Sequence, residues 1–365
     1  MKNTLGSSVT ITLFGESHGQ AIGAVIDGLA PGIDVDNEFI KKQLARRRPN
    51  AKTDTARQEM DNYQIVSGVF EGKTTGTPIC ILIPNEDTKS KDYSQIKDIA
   101  RPSHADYAAE CKYHGYQDYR GGGHFSGRVT SALVGAGAIA ISALKKLGIK
   151  IGTHILRCGN VYDIEFSNYE NEIDALENKD FPVISNVQEQ MINEILKAKE
   201  ALDSIGGVIQ TAIYGMPSGV GEPYFDSIES IISHAVFSIG GIKGIEFGKG
   251  FGFADMLGSQ ANDEFEVKDG KIVTKTNNNA GINGGITNSM PIVFNCAVKP
   301  TPSIAKEQNT VNFKENENTT VVVKGRHDPA IIRRICVVVD SICALTICDV
   351  LAQRYGTDVF TKGIK

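Results

Sequence analysis

Residues 119–148 read YRGGGHFSGRVTSALVGAGAIAISALKKLG. The first half gives up backbone order: three glycines, Gly121 to Gly123, are bracketed by Arg120 and Arg128, with His124 and Ser126 between them. The second half predicts a small-residue helix over 130–147, starting near Val129 and stopped by Gly148. Its weakly polar run, 132–144, is too short to cross a bilayer, so no membrane span is expected. The loop has two readings, a flexible surface segment or a cradle for an anion. Glycines admit positive φ and a close approach of backbone N–H groups to a ligand. The positive end of the helix points at whatever sits over the loop. A surface loop needs neither the two arginines nor the histidine, which favours the cradle. No G-K-[ST] follows, and no G-x-G-x-x-G is present, so neither a Walker loop nor a dinucleotide fingerprint fits.

Outward from this segment, apolar or alternating runs predict strands at 8–14, 21–28, 77–84, 207–215, 291–299 and 319–325. Helical spacing marks 36–47, with Asp36 as N-cap and Phe39, Ile40 and Leu44 on one face. It also marks 186–203, with Val187, Met191, Ile195, Leu196 and Leu202, and then 225–238 and 330–354. The last of these is apolar enough to be buried. These segments alternate loosely, without the βαβ repeat of roughly thirty residues that a doubly wound sheet requires. An α+β sandwich is therefore expected. The acidic stretch 163–190 reads as peripheral. No Pro- or Ser-rich linker divides the chain, so residues 1–365 are read as a single domain, and no sequence repeat marks an internal duplication.

The net charge of −5 argues against a general affinity for nucleic acid or an anionic membrane. The arginines are distributed unevenly: there are twelve, and none lies between 158 and 325. Arginine is the planar, permanently charged fork suited to carboxylate and phosphate. Its concentration in a few segments of an acidic chain points to a small, highly charged anionic ligand. Seven cysteines form no C-x-x-C pair and several lie in apolar runs. Reduced, buried thiols in a cytoplasmic setting are expected, as is the lack of a cleavable leader in MKNTLGSSVTITLFGESHG.

Five stretches carry the chemistry. FGESHGQAIG (14–23) sets His18 on a turn after a strand, where it faces a cleft or bonds the backbone. LARRRPN (44–50) closes a helix with three arginines. The helix dipole accounts for one or two, and at least one is left to meet a ligand. RPSHADY (101–107) holds His104 and Asp106, either an H-x-D metal pair or a histidine oriented by its surroundings. The glycine loop is the fourth. In KGRHDPA (324–330), Asp328 before Pro329 reads either as an N-cap or as a functional carboxylate. NNNAGINGGITNS (277–289) and KPTPS (299–303) add a second glycine loop and a lysine–hydroxyl cluster, both suited to phosphate. Histidine is the side chain best matched to proton donation near neutral pH. The residues imply a phosphorylated substrate, acid–base chemistry and room for a phosphorylated cofactor; they do not name the reaction.

In order along the chain, FGESHG, RRRPN, RPSHADY, DYRGGGHFSGR, GINGGI, KPTPSI and GRHDP resemble the chorismate synthase family nearly end to end. That resemblance implies a carbon–oxygen lyase that performs the 1,4-anti elimination of phosphate from 5-enolpyruvylshikimate 3-phosphate, giving chorismate, the last step of the shikimate pathway. It implies a need for reduced FMN without net redox change, with NADPH entering only as a flavin reductant. It also implies a β-α-β sandwich of antiparallel sheets and helices with an internal pseudo-twofold, assembled as a homotetramer. Such a substrate beside an FMN phosphate is strongly anionic, which suits the arginine bias.

Carried over by motif, His18 is the residue that protonates or stabilises reduced flavin near N1, and His104 the acid that assists phosphate departure. Asp328 is the base that tunes flavin N5. Arg47, Arg48, Arg128 and Arg334 are expected as substrate clamps. His124, Phe125, Ser126, Gly240, Gly241, Gly284, Lys299, Pro300, Thr301, Pro302, Ser303 and Arg326 match the family's FMN-contacting positions. The chain departs from the common pattern at Asn50, where glycine is usual, and at His124 and Phe125, where arginine and serine are usual. Arg333 stands where proline is common. Whether an external reductase supplies the reduced flavin is left open. Two rivals are a metal-dependent phosphohydrolase built on His18, His104, Asp106, His327 and Asp328, and a flavin binder without catalysis.

Overall fold

The small-residue helix sits at the centre of the molecule, and one glycine explains how. It spans Thr130–Lys146 and packs along a second buried helix, Ile332–Tyr355. A Cβ at Gly137 would lie 2.3 Å from the Cβ of Ser341, so only glycine lets the two backbones approach this closely. Within the second helix, Cys336, Ser341 and Thr346 return their polar hydrogens to the carbonyls of Ile332, Val337 and Ile342, which satisfies them inside an apolar layer. The structure is a computed structural model and describes residues 2–49, 60–86, 97–323 and 328–364.

In chain order the main helices are α1 (Asn37–Arg47), α2 (Asp106–Tyr113), α3 (Thr130–Lys146), α4 (Tyr169–Leu176), α5 (Gln188–Glu200), α6 (Ile228–Val236) and α7 (Ile332–Tyr355). Two five-stranded antiparallel sheets enclose α3 and α7. The first contains β1 (Thr4–Leu5), β2 (Thr10–Gly15), β3 (Ala21–Asp27), β4 (Gln64–Ser67) and β5 (Ile79–Pro84), in the order β1-β2-β3-β5-β4. The second contains β6 (Lys150–Cys158), β7 (Val161–Tyr162), β8 (Gly207–Tyr214), β9 (Ile242–Phe247) and β10 (Ile292–Val298), in the order β9-β10-β8-β6-β7.

Register follows the apolar alternation. Ile22, Ala24 and Ile26 pair with Ile83, Ile81 and Ile79, and all six are buried against the helical layer. α3 lies against the first sheet and α7 against the second, so the layers run sheet, helices, sheet. This is the α+β sandwich that the sequence implies; a main hydrophobic core extends from Val9 to Phe360, with a smaller one around Phe166, Ile173, Leu176 and Ala212.

Most boundaries lie within a few residues of expectation. Asp36 caps α1 as read, its carboxylate accepting from the N–H groups of Glu38 and Phe39. Four readings are corrected. Asp328 caps no helix: α7 begins at Ile332, and Asp328 pairs with Arg334 instead. The stretch 163–190 is not merely peripheral, because Asp163, Phe166, Phe181 and Val183 are buried. Leu202 does not belong to the apolar face of α5. It follows the helix with φ of 57° and is exposed. The bilayer reading also needs revision: Gly127–Lys146 and Ile332–Tyr355 both have the length and apolarity of a membrane span. Their apolar windows are 83% and 100% buried inside the protein, which identifies them as core helices.

Candidate active site

The glycine loop is a wall, and both groups of candidate residues are built against it. Gly121 has φ of 60°, and a Cβ there would lie 2.1 Å from His18 Cε1, so bare backbone packs on the imidazole. His18 is buried, with Nδ1 3.1 Å from Ser17 Oγ. Ser17 is itself held to the loop, because its N–H donates to Gly123 O, and its hydroxyl lies 3.2 and 3.3 Å from the carbonyls of Arg120 and Gly121. Further along, His124 Nδ1–H donates to Gly15 O at 2.8 Å, which ties the loop to the end of β2. Ser126 Oγ accepts from the N–H of Arg128, and Phe125 stands half-exposed, edge-on to Tyr113.

On one face the loop lines a cleft of about 220 Å³ through Gly121, Gly122, Phe125, Ser126 and Gly127. Across it stand Arg101, His104, Asp106 and Ser303. His104 Nε2 is 2.7 Å from Ser303 Oγ. Asp106 is engaged by Arg101 through a two-point contact of 2.8 and 2.7 Å. Burial pushes the Asp106 carboxyl up, but the Arg101 pairing outweighs it and holds the group below the ordinary carboxylate range. Among the described residues, no three of His, Cys, Asp and Glu converge as metal ligands would.

The segment 299–303 ties the cleft to the second sheet. Lys299 Nζ donates to Ser103 O at 2.8 Å, and its backbone N–H donates to Gly241 O at 2.8 Å. Pro300 lies over Gly206, Pro302 is half-buried, and Thr301 O accepts from Ser204 Oγ at 2.6 Å. Burial, together with the like charge of Lys243, lowers the Lys299 ammonium. From Ser204 the path continues to Ile205, whose N–H donates to Pro329 O beside Asp328.

Asp328 pairs with Arg334 at 2.6 Å, and Arg334 Nε donates to Arg47 O. Arg47 is buried, donating to Gly127 O at 2.6 Å and to Thr130 Oγ1 at 3.2 Å. Burial, and then the neighbouring Arg334, push its guanidinium down to about 9. Arg128 is equally buried. It donates to Asn85 Oδ1, Pro84 O and the carboxylate of Asp61. Arg48 donates to Met60 O at 3.0 Å, and Arg333 donates to Arg48 O. An unbroken chain of contacts thus joins His18, the loop, His104, the 299–303 segment, Asp328 and Arg47, Arg48, Arg128 and Arg334.

Two expected positions stand apart from this chain. Gly284 is exposed, with φ of 62°, in a hairpin next to the residues that start α6, and Gly240 lies exposed beyond the end of α6 with open space where a side chain would be. Arg326 and His327 lie outside the described residues. Sequence reading passed over Asp61, Asn85 and Lys243. Each acts on a residue far away in the chain, and no local motif marks them.

The chorismate synthase family profile matches residues 9–352. Curated relatives of that name include proteins from Pyrococcus abyssi and Thermococcus kodakarensis, 46% and 44% identical, each match covering 96% of this chain and 97% of the relative. A third, from Agathobacter rectalis, is 43% identical over 99% of both chains. A crystal structure of chorismate synthase superposes with a TM-score of 0.76 at 28% identity, covering 96% of this chain and 94% of that one. The chain therefore belongs to the chorismate synthase family, and it is an enzyme of the carbon–oxygen lyase class.

Proposed function

We propose that this enzyme eliminates phosphate from 5-enolpyruvylshikimate 3-phosphate in the 1,4-anti sense, giving chorismate, with reduced FMN bound in the same site. The observation that carries this reading is the contact chain itself, which gathers two histidines, one carboxylate and four arginines around a glycine wall. In this reading His104 delivers a proton to the departing phosphate oxygen, and Ser303, on Nε2, fixes the ring's orientation. Arg47, Arg48, Arg128 and Arg334 match the charges of the substrate's carboxylates and phosphate. Arg334 holds the Asp328 carboxylate in a defined position for proton transfer. His18, pressed by Gly121, is oriented from one side by Ser17.

Three features support a phosphorylated flavin as the resident group. Burial and then the like charge of Lys243 disfavour the Lys299 ammonium, and an anion beside Lys299 would offset both. Thr301 Oγ1 is buried without a hydrogen-bond partner and offers one to a ligand. Gly127 and Gly240 present bare backbone with open space where a side chain would be. Lys299, Thr301, Ser303, Gly241 and the 124–126 loop would hold it, with Gly240 and Gly284 reaching it from outside the contact chain. When bound, reduced FMN supplies electron density that the elimination borrows and returns. NADPH, or an external reductase, belongs to the supply of reduced flavin. Residues 1–365 acting as one domain, in a cytoplasmic homotetramer, complete this reading on the strength of the family.

The test is anaerobic: protein, substrate and dithionite-reduced FMN, with chorismate absorbance and phosphate release followed together. Equal appearance of both, and only with reduced flavin, is expected. Phosphate without chorismate would sink the proposal in favour of hydrolysis, and bound FMN without either product would leave only a flavin binder.

A further inference from the structure

Asp61 stands between two of the arginines expected to bind the substrate. Its side chain is fully enclosed, and its backbone takes a φ of 54°, in the left-handed region that few residues other than glycine, asparagine and aspartate enter. Oδ1 accepts from Arg128 Nη1, with Ser131 Oγ at 3.4 Å. Oδ2 faces Arg47 Nη1 at 3.7 Å and accepts no hydrogen bond. Arg47 is otherwise held by the neutral acceptors Thr130 Oγ1 and Gly127 O. Asp61 is therefore tight on Arg128 and slack on Arg47. The charges acting on Arg47 include Arg334 and Arg128 on one side and Asp61 and Asp328 on the other.

Two buried guanidiniums with no carboxylate between them would repel each other, whereas one shared carboxylate can hold both. An anion arriving at such a pair does not fill a bare positive site; it exchanges with a carboxylate already there. We propose that Asp61 is the internal counter-ion of the anion clamp, a positioning residue that holds Arg47 and Arg128 and competes with the substrate's anionic groups for them. The inference rests on reading those two arginines as the clamp. It deepens that reading by saying what sets the clamp's affinity. The competition keeps binding of a multiply charged ligand reversible, so that anionic products leave.

The experiment is calorimetric titration with inorganic phosphate, at fixed ionic strength, of the full-length enzyme and its Asp61→Asn variant. Asparagine keeps the shape and the left-handed backbone and removes the charge. Phosphate is expected to bind the variant at least about tenfold more tightly, since one buried like charge has been removed. Equal or weaker binding would make Asp61 a structural brace and overturn the proposal. Should the variant not fold, hydrogen exchange on the wild type decides. The amides of residues 60–63 are expected to exchange faster at saturating phosphate, and unchanged or slower exchange overturns the proposal. Failure of the clamp reading looks different: Arg128→Ala would then bind phosphate as the wild type does, or the wild type would bind none.

Discussion

The cleft around His104 and the cluster around Arg47 share one wall, residues 120–128, yet they are built to opposite rules. The cleft is open to solvent: His104 meets Ser303 and Arg101 pairs with Asp106 on one side, while Phe125 and Gly127 are left exposed on the other. In the cluster the guanidiniums of Arg47 and Arg128 are each fixed at several points, by Gly127 O and Thr130 or by Asn85, Pro84 O and a buried carboxylate. The difference teaches a division of labour. A group that passes a proton has to be able to change its charge near neutral pH, and histidine does so. A group that matches substrate charge has to keep its own, and arginine does, even when burial pulls Arg47 down to about 9.

The largest effect should come from breaking the proton side. His104→Ala is expected to lower kcat by about 100-fold or more while substrate affinity changes little, because the proton matters in the transition state. Steady-state rates and a substrate titration check this; unchanged turnover would remove His104 from the mechanism. Breaking the charge side should do the reverse. Arg48→Ala is expected to weaken substrate binding by about tenfold, the worth of one charge-assisted contact, with a smaller loss in kcat. An unaltered dissociation constant would refute that role.

A third change tests the edge of the cluster, where Arg46 meets the fully buried Asp340 at 3.2 Å. Burial raises Asp340 from 3.8 to about 6 despite Arg46. A carboxyl raised on folding contributes stability that is fully present below its unfolded value and lost as pH rises through its folded one. Wild-type unfolding free energy should therefore gain on that of Asp340→Asn as pH falls from about 6 to about 4, by up to about 3 kcal/mol, read from denaturant melts. A pH-independent gap between the two would contradict this. The smallest expected difference is chemical. Burial raises the thiols of Cys158, Cys296, Cys336, Cys343 and Cys348, with Cys296 pushed up to about 12, whereas Cys111 is exposed. A thiol reagent added to native protein should modify Cys111 first and leave the buried five until unfolding.

The same contrast explains what could be read from sequence. α1, α3 and the strands β3 and β5 were legible because their signals are local: a cap at Asp36, a stop at Gly148, apolar residues at every second position. β6 was not, since its interior carries Thr153 and His154. Both are buried and satisfied by residues distant in the chain or on other elements, Thr153 by Thr211 and His154 by Asp163 and Gln210. β9 was missed for a related reason, having Lys243 and Gly244 where apolar residues are expected. In the site, glycine, histidine and arginine advertise themselves by motif. Their partners do not: Asp61 reaches Arg128 across 67 residues and Asn85 reaches it across 43, while Ser303, marked by its own motif, gave no sign that it would meet His104 across 199. Asp328 was ambiguous because Asp-Pro reads as a helix start, and only the position of Arg334 on the first turn of α7 separates pairing from capping.

The most direct test of this division is a single-turnover experiment under anaerobic conditions, with enzyme in excess over substrate and reduced FMN present. It would compare wild type, His104→Ala and Arg48→Ala across enzyme concentration. The account predicts that His104→Ala lowers the plateau rate at an unchanged half-saturation point, while Arg48→Ala mainly shifts the half-saturation point. If His104→Ala moved the half-saturation point and left the plateau intact, proton transfer and charge matching would not be divided between the two regions.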